Sequence, residues 1–413
     1  MYAWPMLELD CGREFEADEP ARDEEFFATV PARQGVLLVE MRAPGAEPYL
    51  LKTADLRRAA ERLLRTPEET SKRLNLRAVA AGIRYRATGS KFEQTLAFYQ
   101  HAKKNFPARY RALLRLRGPA VLKVNLRNQY PRCYATRRIR ADEGFYFGPF
   151  ISRRSADAFA EGFLDLFKIR RCQIKIRRDP SFPGCIYSEM KMCLSPCFAG
   201  CTKEEYDAEV GRVLEGLASS GEALTTALER EREAASEALD FERAATLHKR
   251  LEKVAAALRG LPELARRIQD LDAVILERVA EERTVAVFPL RGGMLDEPIF
   301  LRFGEMSSQP RSVEAMIRER LEAPASPVGQ NPSMEALESN WRERYGLRDA
   351  STELSEHLSL VARWFYSKPR EGEILFRDGE WPYRRILRAC ARLLAPPGPA
   401  PSETAQPDSS PNQ

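Results

Sequence analysis

The sequence predicts a multidomain α+β protein, and three observations carry that prediction. Its 413 residues are too many for one compact core. Strand-like runs gather in three separated stretches, 35–51, 121–139 and 272–302, with helical spacing between them. Five of the eight cysteines, Cys172, Cys185, Cys193, Cys197 and Cys201, fall within one short segment that must form a unit of its own.

Residues 1–30 are acidic and weakly patterned, and are expected to pack as an extension on a first α/β unit, 31–110. There 35–39 (GVLLV) has β character, Pro44-Gly45 signals a turn, and 47–51 returns as a second strand. Helical spacing follows at 55–64 and 92–116, with Phe92, Leu96, Tyr99 and Leu113 on apolar positions. A second, basic α+β unit spans 111–171. VLKVNL (121–126) alternates, 130–139 is its partner, 145–150 reads as an aromatic loop broken at Gly148-Pro149, and 155–167 is helical.

The cysteine segment, 172–201, precedes a helical region, 202–260. Thr202 with Glu205 forms a capping box, and Tyr206, Val210, Val213, Leu214 and Leu217 make one stripe. Two further helices, about 222–239 and 241–258, meet at Asp240 as an antiparallel hairpin. Phe241, Ala244, Ala245, His248, Leu251, Ala255 and Leu258 are assigned to its inner face, so His248 reads as a packed histidine rather than a ligand. A β-rich unit, 268–322, turns at Arg291-Gly292-Gly293. A Pro/Ala/Ser linker at 323–333 leads to a helical C-terminal region, 335–394. The aromatic run Trp364-Phe365-Tyr366 there reads as an anchor for the last unit in preference to a base-stacking platform. The tail, 395–413, is disordered on composition.

The net charge of +5 is unevenly spread. Between Lys103 and Arg178 stand 20 Lys and Arg against 5 Asp and Glu, a net of +15, which leaves −10 for the rest. A basic block in an acidic chain is the footprint of a polyanion-binding surface. A solvated helix face fits less well, because acids to pair with are nearly absent. No apolar run approaches the ~20 residues needed to span a bilayer, so no membrane partner is expected. The start lacks a basic leader and an apolar core, so a cytoplasmic location is expected, where clustered thiols favour metal over disulfides. No phosphate-binding glycine loop, zincin motif or nucleophile elbow is present, so no small-molecule substrate is expected.

Taken in order, these stretches resemble the UvrC family of the ABC excinuclease, which acts in nucleotide excision repair. GFYFGPFISRR (144–154) resembles its YFGPY-S element, and 170–206 its cysteine block. EALDFERAATLHKRLEKV (237–254) resembles the UVR motif, the helical hairpin that binds the excinuclease component UvrB. LDAVILERVAEERTVAVFPLRGGMLDEP (271–298) resembles the strand-rich segment that follows; the similarity covers residues 30–305.

The resemblance implies a GIY-YIG nuclease fold for 31–110, whose chemistry needs a tyrosine, an arginine beside the phosphate and a carboxylate for a divalent metal. Gly35, Tyr49 and Lys52 are kept. The other tyrosine position is Leu37, the glycine of the second element is Leu51, and the arginine falls at Ala59 with Arg58 one residue off. The metal-binding glutamate aligns with Phe98, and Glu93 lies five residues earlier. A degenerate domain with a vestigial set (Gly35, Tyr49, Lys52, Arg58, Glu93) and no Mg²⁺ site is therefore expected. The alternative is an active endonuclease with a shifted site. The family's RNase H-like nuclease, marked by an Asp-Gly-Gly strand start, is not recognisable after residue 305, nor is its helix-hairpin-helix pair.

The resemblance further implies a four-iron, four-sulfur cluster on Cys172, Cys185, Cys193 and Cys197, with Cys201 a possible substitute and zinc the alternative. DNA contact is assigned to Arg132, Arg137, Arg138, Arg153, Arg154 and Arg170, and docking of UvrB to Leu239, Phe241, Ala244 and Ala245. The expected role is a non-cutting DNA-binding scaffold; an RNA- or protein-binding adaptor is the remaining alternative.

Overall fold

The computed structural model describes residues 7–67, 72–140, 142, 144–304, 312–322 and 350–395. The expected linker at 323–333, residues 335–349, and the tail from 396 onward lie outside these. The fold is mixed α+β, as expected, and is built on antiparallel sheets.

The first sheet comprises β1 (Cys11–Glu14), β2 (Gly35–Met41), β3 (Tyr49–Thr53) and β4 (Ala80–Ala87) in the order β1-β4-β2-β3. The GVLLV run is apolar throughout because both its faces are buried. Leu37 and Val39 turn to a core shared with α2 (Leu56–Leu64) and with Phe15, Phe27 and Val30 of the N-terminal extension, which also carries α1 (Asp23–Ala28). Val36 and Leu38 turn the other way, toward α3 (Lys91–Asn105). Asp55 caps α2 by accepting the Arg58 N–H at 2.9 Å, and Ser90 caps α3 by accepting the Glu93 N–H at 3.1 Å. The helix expected over 92–116 is two, since Pro107 ends α3 and α4 (Tyr110–Leu113) restarts after it.

The second sheet runs β6-β5-β7-β8, from β5 (Ala120–Asn125), β6 (Cys133–Thr136), β7 (Gly144–Phe150) and β8 (Arg266–Arg267). Here one expectation fails. The aromatic stretch 145–150 is a buried strand in the sheet interior, not a loop. Its side chains serve two cores: Phe145 and Phe147 face α5 (Arg153–Leu164), while Tyr146 faces the first unit's α3 side. Two-sided burial erases the polar alternation that marks a strand, and Pro149 is tolerated where the β5 register shifts between Ala120 and Leu122.

After the cysteine segment, which holds α6 (Ile186–Glu189), come α7 (Lys203–Ala218), α8 (Glu222–Glu237) and α9 (Phe241–Leu258). The Thr202–Glu205 capping box forms on α7. The α8–α9 hairpin forms as expected, but its inner stripe is rotated from the one assigned. Leu247 and Val254 are buried against Leu228 and Ala235, with Ala244, Leu251 and Leu258 beside them. Phe241, Ala245 and His248 point to solvent, so His248 is not a packed histidine; it pairs with Glu252 at 3.7 Å.

The third sheet has the order β11-β10-β9-β13, with β12 also on β10. Its strands are β9 (Ala273–Arg278), β10 (Thr284–Arg291), β11 (Met294–Leu295), β12 (Ile299–Arg302) and β13 (Glu373–Phe376). Thus the region 335–394 is not wholly helical, because β13 returns to pair with β9. Val274, Leu276, Val285 and Val287 pack on α10 (Val313–Glu322) and α12 (Tyr383–Leu394), whereas Ile275, Ala286 and Phe288 pack on α11 (Ala350–Phe365). One central core results. It joins α3, the outer face of the first sheet, Val121 and Tyr146 of the second, the third sheet and α11. No helix among the described residues is long and apolar enough to cross a membrane.

Candidate functional site

The cysteine segment and the stretch leading into it are tied to α7 and to the connection before β6 by hydrogen bonds. The Lys168 N–H donates to Glu209 Oε1 at 2.5 Å, and Lys168 O accepts from Leu194 N–H at 2.9 Å. Arg170 is the hub. Its backbone N–H donates to Tyr206 Oη at 3.0 Å, its Nε to Tyr130 O at 2.8 Å and its Nη1 to Ile174 O at 2.8 Å. Only 7% exposed, Arg170 braces the loop from the interior, not from the surface where the exposed arginines stand. The Asp179 N–H donates to Cys197 O at 2.9 Å, and Cys193 Sγ accepts from the Ser195 N–H at 3.3 Å. Ser195 and Ala199 are left-handed, at φ 60° and 61°, and fold the chain tightly around Cys197.

All five thiols are free. Burial pushes Cys193 up to about 11, opposed by the Ser195 N–H and reinforced by Cys172, Cys197 and Cys185. Burial likewise raises Cys197, with Cys185 and Cys172 adding to it. Cys193 and Cys197 therefore each lie within electrostatic reach of Cys172 and Cys185. Cys201 is raised by burial, then by Glu205, with Cys197 adding to it, and it sits in the apolar core of the second unit. As the side chains stand, no three His, Cys, Asp or Glu among the described residues are close enough to hold a metal ion. The donor set itself suits a thiophilic centre, since a cation removes the mutual repulsion that makes four thiolates costly.

The vestigial nuclease residues do not converge. Gly35 is a packing glycine, because a Cβ there would meet Arg86 O at 2.3 Å. Leu37, Tyr49, Leu51 and Ala59 pack together with the extension's Phe15 and Phe27 on one side of the first sheet. Phe98 belongs to the core on the other side. Glu93 is fully buried, where burial raises its pKa, and its carboxylate is spent on the Gly89 N–H at 2.9 Å and Arg86 Nε at 3.2 Å. Arg58 is exposed on α2, and Lys52 is exposed on β3 in a cavity with Gln94 and Arg363.

The remaining arginines divide among separate places. Arg132 is half-buried, with its guanidinium 4.3 Å from the Tyr134 ring. Arg137 and Arg138 are exposed after β6, while Arg153 and Arg154 are exposed in the first turn of α5. At the tip of the hairpin, Leu239 and Phe241 are 72% and 68% exposed.

A polar cluster has no counterpart among the sequence expectations. Glu356 of α11 accepts from Tyr110 Oη and Arg111 Nε, each at 2.6 Å, and from Tyr99 Oη at 2.7 Å, while Glu353 pairs with Lys103. Trp364 Nε1 donates to Glu277 Oε1 at 2.5 Å, which makes the aromatic run an anchor. Partners some 250 positions apart leave no local signal; only the acids on the apolar face of α11 hint at them.

Residues 120–216 match the model of the UvrC/Cho excinuclease middle domain. Curated relatives include UvrABC system protein C of Dehalococcoides mccartyi, 29% identical over 270 residues (65% of this chain, 44% of the relative). That of Oleidesulfovibrio alaskensis is 30% identical over 275 residues (66% and 39%), and that of Moorella thermoacetica 28% over 298 (72% and 48%). The chain spans less than half the length of these relatives. No solved structure matches it. The middle-domain match and the longer matches to these relatives make the chain similar to the UvrC family.

Proposed function

We propose that the chain is a non-cutting DNA-binding scaffold of nucleotide excision repair that works with the excinuclease component UvrB. The observation that carries the reading is the first unit's nuclease face. Apolar side chains from the extension fill the ground beside Leu37, Leu51 and Ala59, and the carboxylate of Glu93 is sealed across the sheet. A divalent ion needs open oxygen ligands, which neither a leucine face nor a saturated glutamate supplies. DNA would be held through phosphates by the exposed arginines, and UvrB through Leu239 and Phe241. Cys172, Cys185, Cys193 and Cys197 would hold an iron–sulfur cluster, or else zinc. Such a centre would cross-link the loop that Arg170 anchors between the basic sheet and α7.

The test is incision of damaged DNA by the purified chain with UvrB and Mg²⁺ or Mn²⁺. No cleavage is expected. A metal-dependent cut abolished by Glu93→Gln would overturn the proposal in favour of an active endonuclease with a shifted site. Binding of RNA but not DNA would favour the RNA adaptor instead.

A further inference from the structure

We infer that a cleft between the second sheet's loops and the start of α11 is a phosphate-binding groove for a nucleic-acid strand, which makes α11 part of the interface. This rests on the DNA-binding reading above and gives it a place. The cleft, ≈ 270 Å³, is lined by Arg111, Arg117, Arg137, Arg138 and Arg140, with hydroxyls supplied by α11, Ser355 among them. Its one carboxylate among the described residues, Glu356, is already satisfied by Tyr99, Tyr110 and Arg111, which leaves Arg111 neutralised.

The other four arginines have no carboxylate partner among the described residues. Arg137 is held in place by donating Nη1–H to Gly118 O at 2.8 Å. Four cations gathered in a concave site repel one another, and an anion in their midst relieves that cost. The planar fork of a guanidinium matches phosphate oxygens, and serine hydroxyls supply neutral donors beside it. Among the described residues the apolar lining is Leu116 and Ile139, with no aromatic face on which a base could stack. Recognition there falls on the backbone of the strand, and sequence is not read. The groove also gives the basic block a floor. Arg117 and Arg140, at the base of neighbouring loops, belong to it as much as Arg137 and Arg138, whereas Arg153 and Arg154 lie elsewhere.

The experiment is fluorescence anisotropy of the full chain with labelled single-stranded and duplex DNA, across roughly 50 to 200 mM salt. Replacing Arg137, Arg138 and Arg140 together by alanine should weaken duplex binding at least ~10-fold and flatten the log–log salt slope by about 2–3. The matching triple lysine variant should keep most of the slope. Ser355→Asp, which leaves every arginine in place, should weaken binding by roughly 5-fold through charge repulsion. Circular dichroism and thermal unfolding confirm that each variant is folded. A wild-type chain that binds no DNA sinks the underlying reading itself. Binding that survives the triple alanine variant but is lost in Arg153→Ala/Arg154→Ala overturns the cleft and leaves that reading standing. Unchanged affinity in Ser355→Asp overturns the part given to α11. Tripolyphosphate that binds without displacing DNA would mark a small-anion site and also overturn the proposal.

Discussion

At the scale of single residues, chemically alike side chains have been given different work by their surroundings. Arg137 and Arg170 both belong to the basic block, yet one is exposed at a cleft while the other spends its guanidinium on Tyr130 O and Ile174 O in the interior. Charge counting along a sequence cannot separate them, because burial is decided by packing from far away. The cysteines divide in the same way. Cys193 feels Cys172, Cys185 and Cys197, whereas Cys201 is reached by Cys197 and lies in the apolar core, so the first four are the proposed ligands. Cys193→Ser is expected to abolish most of the iron and sulfide, or zinc, of anaerobically purified protein, while Cys201→Ser keeps it. Wild-type protein free of metal, with four thiols open to alkylation, would refute the assignment. Equal loss from the two variants would instead place Cys201 among the ligands.

At the scale of elements, legibility follows one-sidedness. Helices with one buried stripe and a good cap, such as α2 and α7, stand where their spacing and their Asp55 and Thr202 caps put them. Elements buried on both sides leave no such mark: β7 reads as a loop, and β13 is lost inside a helical stretch because its partner β9 lies about a hundred residues away. The α8–α9 hairpin falls between these cases. Its breaks reveal it, but its stripe is misplaced, since alanines on several faces leave the wheel ambiguous. The corrected stripe separates folding from docking. Leu247→Ala opens a cavity inside the hairpin and should cost about 2–4 kcal/mol in chemical unfolding. Phe241→Ala removes an exposed ring and should stay within ~0.5 kcal/mol of wild type. It should nonetheless weaken binding of UvrB at least ~10-fold by calorimetry, as loss of an aromatic anchor does. Intact affinity in Phe241→Ala and Leu239→Ala together would remove the hairpin tip from the partner surface.

At the scale of the whole molecule, three sheets meet on one core, and α11 is the piece that closes it. Two acids on the borders of that helix titrate in opposite senses, which makes the closure readable by pH. Glu277, facing Trp364, is driven up to about 8 by burial, which outweighs the indole N–H. Its folded pKa lies above the ordinary 4.5, so stability is fully present below 4.5 and drains away as pH rises toward 8, by about 5 kcal/mol. Glu353 is the reverse. Burial would raise it, but His357 and Lys103 prevail and hold it at about 2. Its contribution, about 3 kcal/mol, is present above 4.5 and lost as pH falls through about 2. Urea unfolding across pH should therefore show Glu277→Gln equal to wild type near pH 4 and more stable than it at pH 8, with Gln still able to accept the Trp364 N–H. Glu353→Gln should be less stable than wild type at pH 7, with the difference closing as pH approaches 2. The two difference curves must slope in opposite directions if α11 docks through these groups. Parallel curves, or a Glu277→Gln variant destabilised at pH 8, would mean that the helix is held by apolar packing alone, with its acids bearing no charge-dependent part of the closure.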